Sequence, residues 1–225
     1  MKTLVIAPHP DDELLGCGGT LLRRQAEGHE TAWILVTEAR GGGVGPDPAT
    51  RDIEIASVRG GLGIPPERLV RLGHATTTLD TVPISELVGG LASAISRIAP
   101  SEVLIPHAGD AHSDHRIVAG AAIAATKWFR QPSIMRILAY ETLSETGLGA
   151  GPEFRPDVHI DISPWLDQKI ELTRNYASEF GKFPFPRSEE SVRSLAALRG
   201  SNSGFVAAEA FQVIVAREPL DGSGR

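Results

Sequence analysis

Leu4-Val5-Ile6-Ala7-Pro8-His9-Pro10-Asp11-Asp12-Glu13-Leu14-Leu15 passes from an apolar run, through an acidic cluster, into a stretch with leucines at helical spacing. The run has the length of a strand buried on both faces, and the two prolines end it. Asp11, Asp12 and Glu13 then suit a helix N-terminus, where carboxylates meet unpaired N–H groups and the positive end of the helix dipole. The stretch reads as a strand-to-helix turn. A second one follows Val103-Leu104-Ile105-Pro106, where His112-Ser113-Asp114-His115 opens a helix rich in small residues.

Working outward, apolar runs alternate with helical periodicity along most of the chain, which predicts βα units and a mostly parallel sheet. Strands are expected at Thr3–Pro8, Thr31–Thr37, Arg68–Leu72, Glu102–Pro106, Arg136–Glu141, Asp157–Ile162 and Phe211–Ala216. Helices are expected at Asp12–Glu27, Ala49–Leu62, Ile84–Ile98, Asp114–Phe129 and Ser163–Phe180, the last with Ser163 as N-cap, and Ile53 and Ile55 on a buried face of the second. Cys17 with its neighbouring glycines reads as a close-packing stretch of the first helix. No repeat or linker divides the chain, so one α/β domain covers residues 1–218 and 219–225 is a frayed tail.

The chain has 225 residues, 41% hydrophobic and 22% charged, with a net charge of −6. That is ordinary globular usage, and the acidic balance disfavours a phosphate-tracking surface, so no nucleic-acid partner is expected. No run is long and apolar enough for a membrane span and no secretory signal is visible. The single cysteine, Cys17, excludes an internal disulfide and suits the cytoplasm. The apolar face within 114–129 serves either core or a subunit interface, leaving a homo-oligomer open.

In open parallel sheets ligands bind beyond the carboxyl ends of the strands, where both motifs sit. His9, Asp12 and His115 supply the two-histidine, one-carboxylate set of a catalytic zinc site that keeps a position for water. Asp11 is adjacent to Asp12 and points differently, which makes it the natural general base. A metal in such a site lowers the pKa of its water to about 7 and polarises a carbonyl. His112 would stabilise the oxyanion or act as general acid, with Asp114 orienting its imidazole and raising its pKa. Asp110 is placed at the pocket mouth, where it would accept from sugar hydroxyls. The glycine-rich segment from Ala39 to Ala49, with Gly41 and Gly45, is expected to form a pocket rim.

Ala7-Pro8-His9-Pro10-Asp11-Asp12-Glu13 with His112-Ser113-Asp114-His115 resembles the LmbE-like, or PIG-L, N-acetylglucosamine deacetylase superfamily. The resemblance implies a Rossmann-like three-layer fold with a mononuclear zinc site of His9, Asp12 and His115. It implies Asp11 as general base, His112 as oxyanion stabiliser or acid, and Asp114 in support. Arg51-Asp52-Ile53-Glu54 is similar to the family's Arg-x-x-Glu and makes Arg51 a candidate sugar ligand; Lys169 and Ala208-Glu209-Ala210-Phe211 extend the likeness. Ser113, where proline is common, and Pro8 depart from the pattern. The implied function is a zinc-dependent hydrolase removing an N-acetyl group from an N-acetylglucosamine-type sugar or glycoconjugate, with Fe2+ or another divalent metal as alternatives to Zn2+. Rival readings are an amidase on a thiol-sugar conjugate, a non-catalytic sugar- or nucleotide-binding module, and an iron oxygenase, the last implying a cupin-type β fold.

Overall fold

Leu4, Val5, Ile6 and Ala7 are all fully buried, as expected of a strand covered on both faces, and they form an interior strand of the sheet. In this computed structural model, residues 1–38, 46–149 and 151–218 are described. The elements are β1 (Lys2–Ala7), α1 (Asp12–Ala26), β2 (Glu30–Glu38), α2 (Pro48–Gly61), β3 (Leu69–Ala75), α3 (Ile84–Ile98), β4 (Glu102–Pro106), α4 (Ser113–Ala125), β5 (Arg136–Tyr140), β6 (Val158–Asp161), α5 (Leu166–Thr173), α6 (Glu189–Ser201) and β7 (Ala208–Ala216). The sheet runs β3-β2-β1-β4-β5-β7-β6. Neighbours from β3 to β5 are parallel, and β7 is antiparallel to both β5 and β6.

Period-two alternation along each buried strand divides the core into two layers. Val5, Ala7, Trp33, Leu35, Leu104 and Leu138 pack against Leu14, Leu21 and Leu22 of α1 and Ile55 and Val58 of α2. Leu4, Ile6, Ile34, Val103 and Ile137 pack on the other face against Leu87, Leu91 and Ile95 of α3 and Val118 and Ala122 of α4. Helices on both faces of a mostly parallel sheet make the three-layer α/β sandwich that the family resemblance implies, and the described residues form no cupin-type β fold. The strand order reverses between β1 and β4, so the two motif-bearing turns lie side by side at the switch point. Among the described residues no helix is long and apolar enough to cross a membrane.

Close packing explains the small residues of α1. A Cβ on Gly16 would lie 2.2 Å from the Tyr140 ring, and one on Gly19 2.8 Å from Ile162. The helix is broken at Cys17 (φ −149, ψ 21), and two residues on, the N–H groups of Gly19 and Thr20 find an acceptor outside the helix. Glu209 of β7 accepts both, at 2.8 and 2.7 Å, and its charge is met by buried Lys169 at 2.7 Å.

The last third departs from expectation. Instead of one helix over Ser163–Phe180, a single 3-10 turn at Ser163–Trp165 leads into α5, which ends where Thr173 Oγ1 bonds back to the Lys169 carbonyl. Ser163 does not cap a helix: Asp161 Oδ1 accepts from its N–H and hydroxyl. Helix α6 was not expected, although Ser188 followed by Glu189 and Glu190 is a start signal and the Ser188 hydroxyl does accept from Ser191 N at 3.2 Å. Helix α4 stops at Ala125, short of Phe129, where Thr126 Oγ1 bonds the Ala122 carbonyl. Ile53 is 71% exposed, and the buried face of α2 instead carries Arg51 and Glu54 beside Ile55 and Val58. The segment around Gly41–Gly45 and the tail 219–225 lie outside the described residues.

Candidate metal centre

The Pro8 carbonyl, just past β1, accepts from Thr37 N (2.9 Å) and Thr37 Oγ1 (2.8 Å) and so fixes the start of the turn against β2. Asp11 then takes φ 129, a conformation strained for any side-chain-bearing residue. Glu13 supports it: one carboxylate oxygen accepts from Asp11 N at 3.1 Å and the other from the Tyr176 hydroxyl at 2.9 Å. Burial pushes the Glu13 carboxyl up to about 8. Thr77 (φ 61) and Ser144 (φ 74) are also strained and line the same cavity, so three of the four positive-φ residues other than glycine, among the described residues, sit at this site.

Asp12 Oδ2 is the meeting point of the two motifs. It lies 3.2 Å from His9 Nδ1 and 3.2 Å from His115 Nε2, and accepts from His9 N at 2.9 Å. The second nitrogen of each ring is fixed by another carboxylate: His9 Nε2 lies 3.0 Å from Asp114 Oδ2, and His115 Nδ1 lies 2.9 Å from Asp110 Oδ2. Asp114 is held in turn by Thr77 N at 2.7 Å, and Asp110 Oδ1 accepts from Thr146 Oγ1 at 2.6 Å. Ligand atoms of His9, Asp12 and His115 all lie within 4.8 Å of one another. The 3.2 Å separations match the edges, about 3.3 Å, of a tetrahedron with the ~2.0–2.1 Å bonds of zinc, so the donor set fits a divalent cation. His9, His112 and Asp114 are similarly close, but there His9 Nε2 and Asp114 are already bonded to one another.

Charges follow from this geometry. Burial disfavours protonated His9 and His115, but facing carboxylates overcome it: Asp114 and Asp12 raise His9 to about 9, and Asp12 with Asp110 raises His115 to about 10. Burial alone would push Asp12 up, yet His115 and His9 hold it well below the usual carboxylate range. Asp11 goes the other way, to about 7, because burial and the Asp12 charge outweigh Arg187 and His9.

Two expected roles are corrected. Asp110 is fully buried with both carboxylate oxygens engaged, so it orients His115 and does not line the pocket as a sugar acceptor. Asp114 meets His112 only through its backbone N–H, which donates to His112 Nδ1 at 3.1 Å, while its carboxylate serves His9. The His112 pKa is lowered, not raised, by burial and by the neighbouring His9 and His115. The ring therefore accepts at Nδ1 and keeps Nε2–H for the cavity it lines.

That cavity, about 280 Å³, borders His9, Asp11, Asp12, His112 and His115 and also reaches Arg51. Arg51 is nine-tenths buried, held by Glu54 at 3.0 Å and Glu179 at 2.8 Å, with its guanidinium over the Tyr176 ring. Several wall residues escaped the sequence reading: Thr76 and Thr77 after β3, Thr142, Ser144 and Glu145 after β5, and Glu179 and Arg187 near α5 and α6. The first two groups follow carboxyl ends of strands, a position that itself marks them. Nothing in the periodicity marks Glu179 or Arg187.

Known proteins resemble this chain in sequence and in fold. The family profile described as PIG-L, GlcNAc-PI de-N-acetylase, matches residues 4–126. The chain is 25% identical over 221 residues to the diacetylchitobiose deacetylase of Thermococcus kodakarensis, covering 95% of this chain and 83% of that one. It is 28% identical over 204 residues to the 1D-myo-inositol 2-acetamido-2-deoxy-alpha-D-glucopyranoside deacetylase of Mycobacteroides abscessus, covering 75% and 73%. Among solved structures, the conserved protein TT1542 from Thermus thermophilus superposes with a TM-score of 0.79 at 31% identity, covering 99% of both chains.

Proposed function

The chain belongs to the PIG-L family, and from that premise we propose that it is a metal-dependent hydrolase that removes the N-acetyl group of an N-acetylglucosamine-type sugar or glycoconjugate. The observation that carries this reading is the convergence of His9, Asp12 and His115 on one cavity that Asp11 and His112 also line. In this reading His9, Asp12 and His115 would hold a divalent cation, for which Zn2+ suits the donors and Fe2+ is the alternative. When bound, such a cation supplies Lewis acidity toward the carbonyl oxygen and acidifies water.

The chain's own groups do the rest. Asp11 takes a proton from the attacking water as the oxygen adds to the acetyl carbon. His112, kept neutral with Nδ1 on the Asp114 N–H, donates Nε2–H to the carbonyl oxygen as it becomes negative, a contact worth ~3 kcal/mol in such sites. The C–N bond then breaks, acetate leaves, and the proton held by Asp11 passes to the sugar amine. Arg51, braced by Glu54 and Glu179, donates to the sugar. The free, buried thiol of Cys17 is in keeping with a reducing compartment such as the cytoplasm.

Acetate and free-amine release from N-acetylglucosamine, diacetylchitobiose, 1D-myo-inositol 2-acetamido-2-deoxy-alpha-D-glucopyranoside and a thiol-sugar conjugate tests the reading, with metal measured by elemental analysis. Wild type should release amine from at least one and lose activity on chelation, and Asp11→Ala should lower kcat by ~10²–10⁴-fold. Full activity in Asp11→Ala, or no release by metal-loaded wild type, refutes it.

A further inference from the structure

Arg187 belongs to neither motif, yet it makes the direct contact to the Asp11 carboxylate: its Nη1 donates to Asp11 Oδ2 at 2.9 Å. Its Nη2 lies 3.3 Å from Glu179 Oε2, and Glu179 Oε1 accepts from Arg51 Nη2 at 2.8 Å. The chain Arg51–Glu179–Arg187–Asp11 thus runs along one wall of the cavity, joining helix α2, the turns after α5, the loop before α6 and the turn after β1. We propose that Arg187 is a positioning residue for the hydrolysis: it fixes the direction of the Asp11 carboxylate and, through Glu179, ties it to the sugar-binding Arg51. This inference rests on the reading of Asp11 and Arg51 given above.

Asp11 needs such a partner. Its φ of 129 takes it out of the helical backbone that would otherwise set its rotamer, and the adjacent Asp12 charge repels it inside a buried site. A guanidinium satisfies both needs, since it offers two N–H groups in a rigid fork and spends one on each acid. Arg187 is itself held in place. Its carbonyl accepts from Gly181 N at 3.1 Å, the next residue is the fully buried N-cap Ser188, and its guanidinium lies 5.5 Å over the Phe185 ring. Gly181 makes room for that ring, since a Cβ there would lie 2.6 Å from it. Surface pairs such as Arg155 with Glu153, 80% and 73% exposed, have no comparable mounting.

An ion pair that only fastened the loop to the body would affect folding, whereas a positioning role affects turnover. The test is steady-state kinetics on the best of the four acetylated substrates, with metal content and circular dichroism measured on every variant. Arg187→Ala should lower kcat about 10- to 100-fold with KM within threefold of wild type, as displacement of a reacting group by an ångström does. Guanidinium ion should restore part of that loss, and Arg187→Lys, which has one nitrogen in place of the planar fork whose two nitrogens serve the two acids, should fall between. In an Asp11→Asn background, Arg187→Ala should change the residual rate less than about twofold, the non-additivity expected of residues that act as one unit. A kcat within twofold of wild type overturns the proposal, as does an equal loss in the Asp11→Asn background or a loss carried by KM. Should Arg187→Ala misfold, Arg187→Lys and Glu179→Gln decide, and a kcat within twofold for both overturns it. Inactive, metal-loaded wild type overturns the deacetylase reading and this inference with it, so the two failures are distinct.

Discussion

Asp12 Oδ2 faces one nitrogen of His9 and one of His115, and each ring is anchored behind by its own buried acid. Outer carboxylates of this kind set ring orientation and tautomer, and losing one costs metal affinity more than fold. Asp110→Ala is therefore expected to weaken metal binding by ~10- to 100-fold, read by competition with a coloured chelator. His112→Ala should lower kcat by ~10²–10³-fold with metal content unchanged, because in the proposed mechanism it removes an oxyanion donor and no ligand. That His9, Asp12 and His115 would come together was legible in the sequence, since two short motifs after strands carry them. The outer partners were not. Asp110 sits five positions before His115, and only the fold shows that its oxygens face inward to His115 and Thr146. Asp114 was legible as a member of the site but assigned to the wrong histidine, since adjacency in sequence says nothing of which ring a carboxylate reaches.

At the level of elements, the break in α1 makes the helix depend on β7. Glu209→Ala removes the acceptor for Gly19 and Thr20 and leaves Lys169 buried without its counter-charge, which should cost ~3–5 kcal/mol in urea unfolding. Glu209→Gln keeps an acceptor and should cost less. Gly16→Ala should cost ~1–3 kcal/mol by forcing a Cβ into the Tyr140 ring. Elements with clean periods and strong ends were readable, β4 and α3 to the residue. Where local hydrogen bonds compete with the helix, the pattern misled. Thr126 and Thr173 turn back on carbonyls four residues earlier, which weakens the helix locally, at the ends of helices that apolar spacing alone would extend. On α2 the apolar period hid that Arg51 and Glu54 are buried and Ile53 is not.

Across the whole molecule, the sheet has an ionic cluster at each end. Opposite the candidate metal centre, Glu102 accepts from Thr3 Oγ1 of β1 at 3.0 Å and pairs with Arg24 of α1 and Arg136 of β5. Burial alone would raise its pKa, but Arg24 and Arg136 outweigh it and hold the carboxyl below its ordinary 4.5. A depressed folded-state pKa contributes stability that is fully present above about pH 4.5 and is lost as pH falls through the folded value. Glu102→Gln should remove that part of the acid sensitivity, so its unfolding midpoint should change less than wild type's between pH 6 and pH 3, read by circular dichroism. The strand order lies in pairings that the pattern does not carry, whereas the mostly parallel layout was readable because apolar runs alternate with helical periodicity. The antiparallel β7, inserted between β5 and β6, was not, since its partners lie far away in sequence. That placement also has a meaning in time. The first helix receives its internal cap from residue 209, so during translation Gly19 and Thr20 wait for their acceptor until a further 190 and 189 residues have been made.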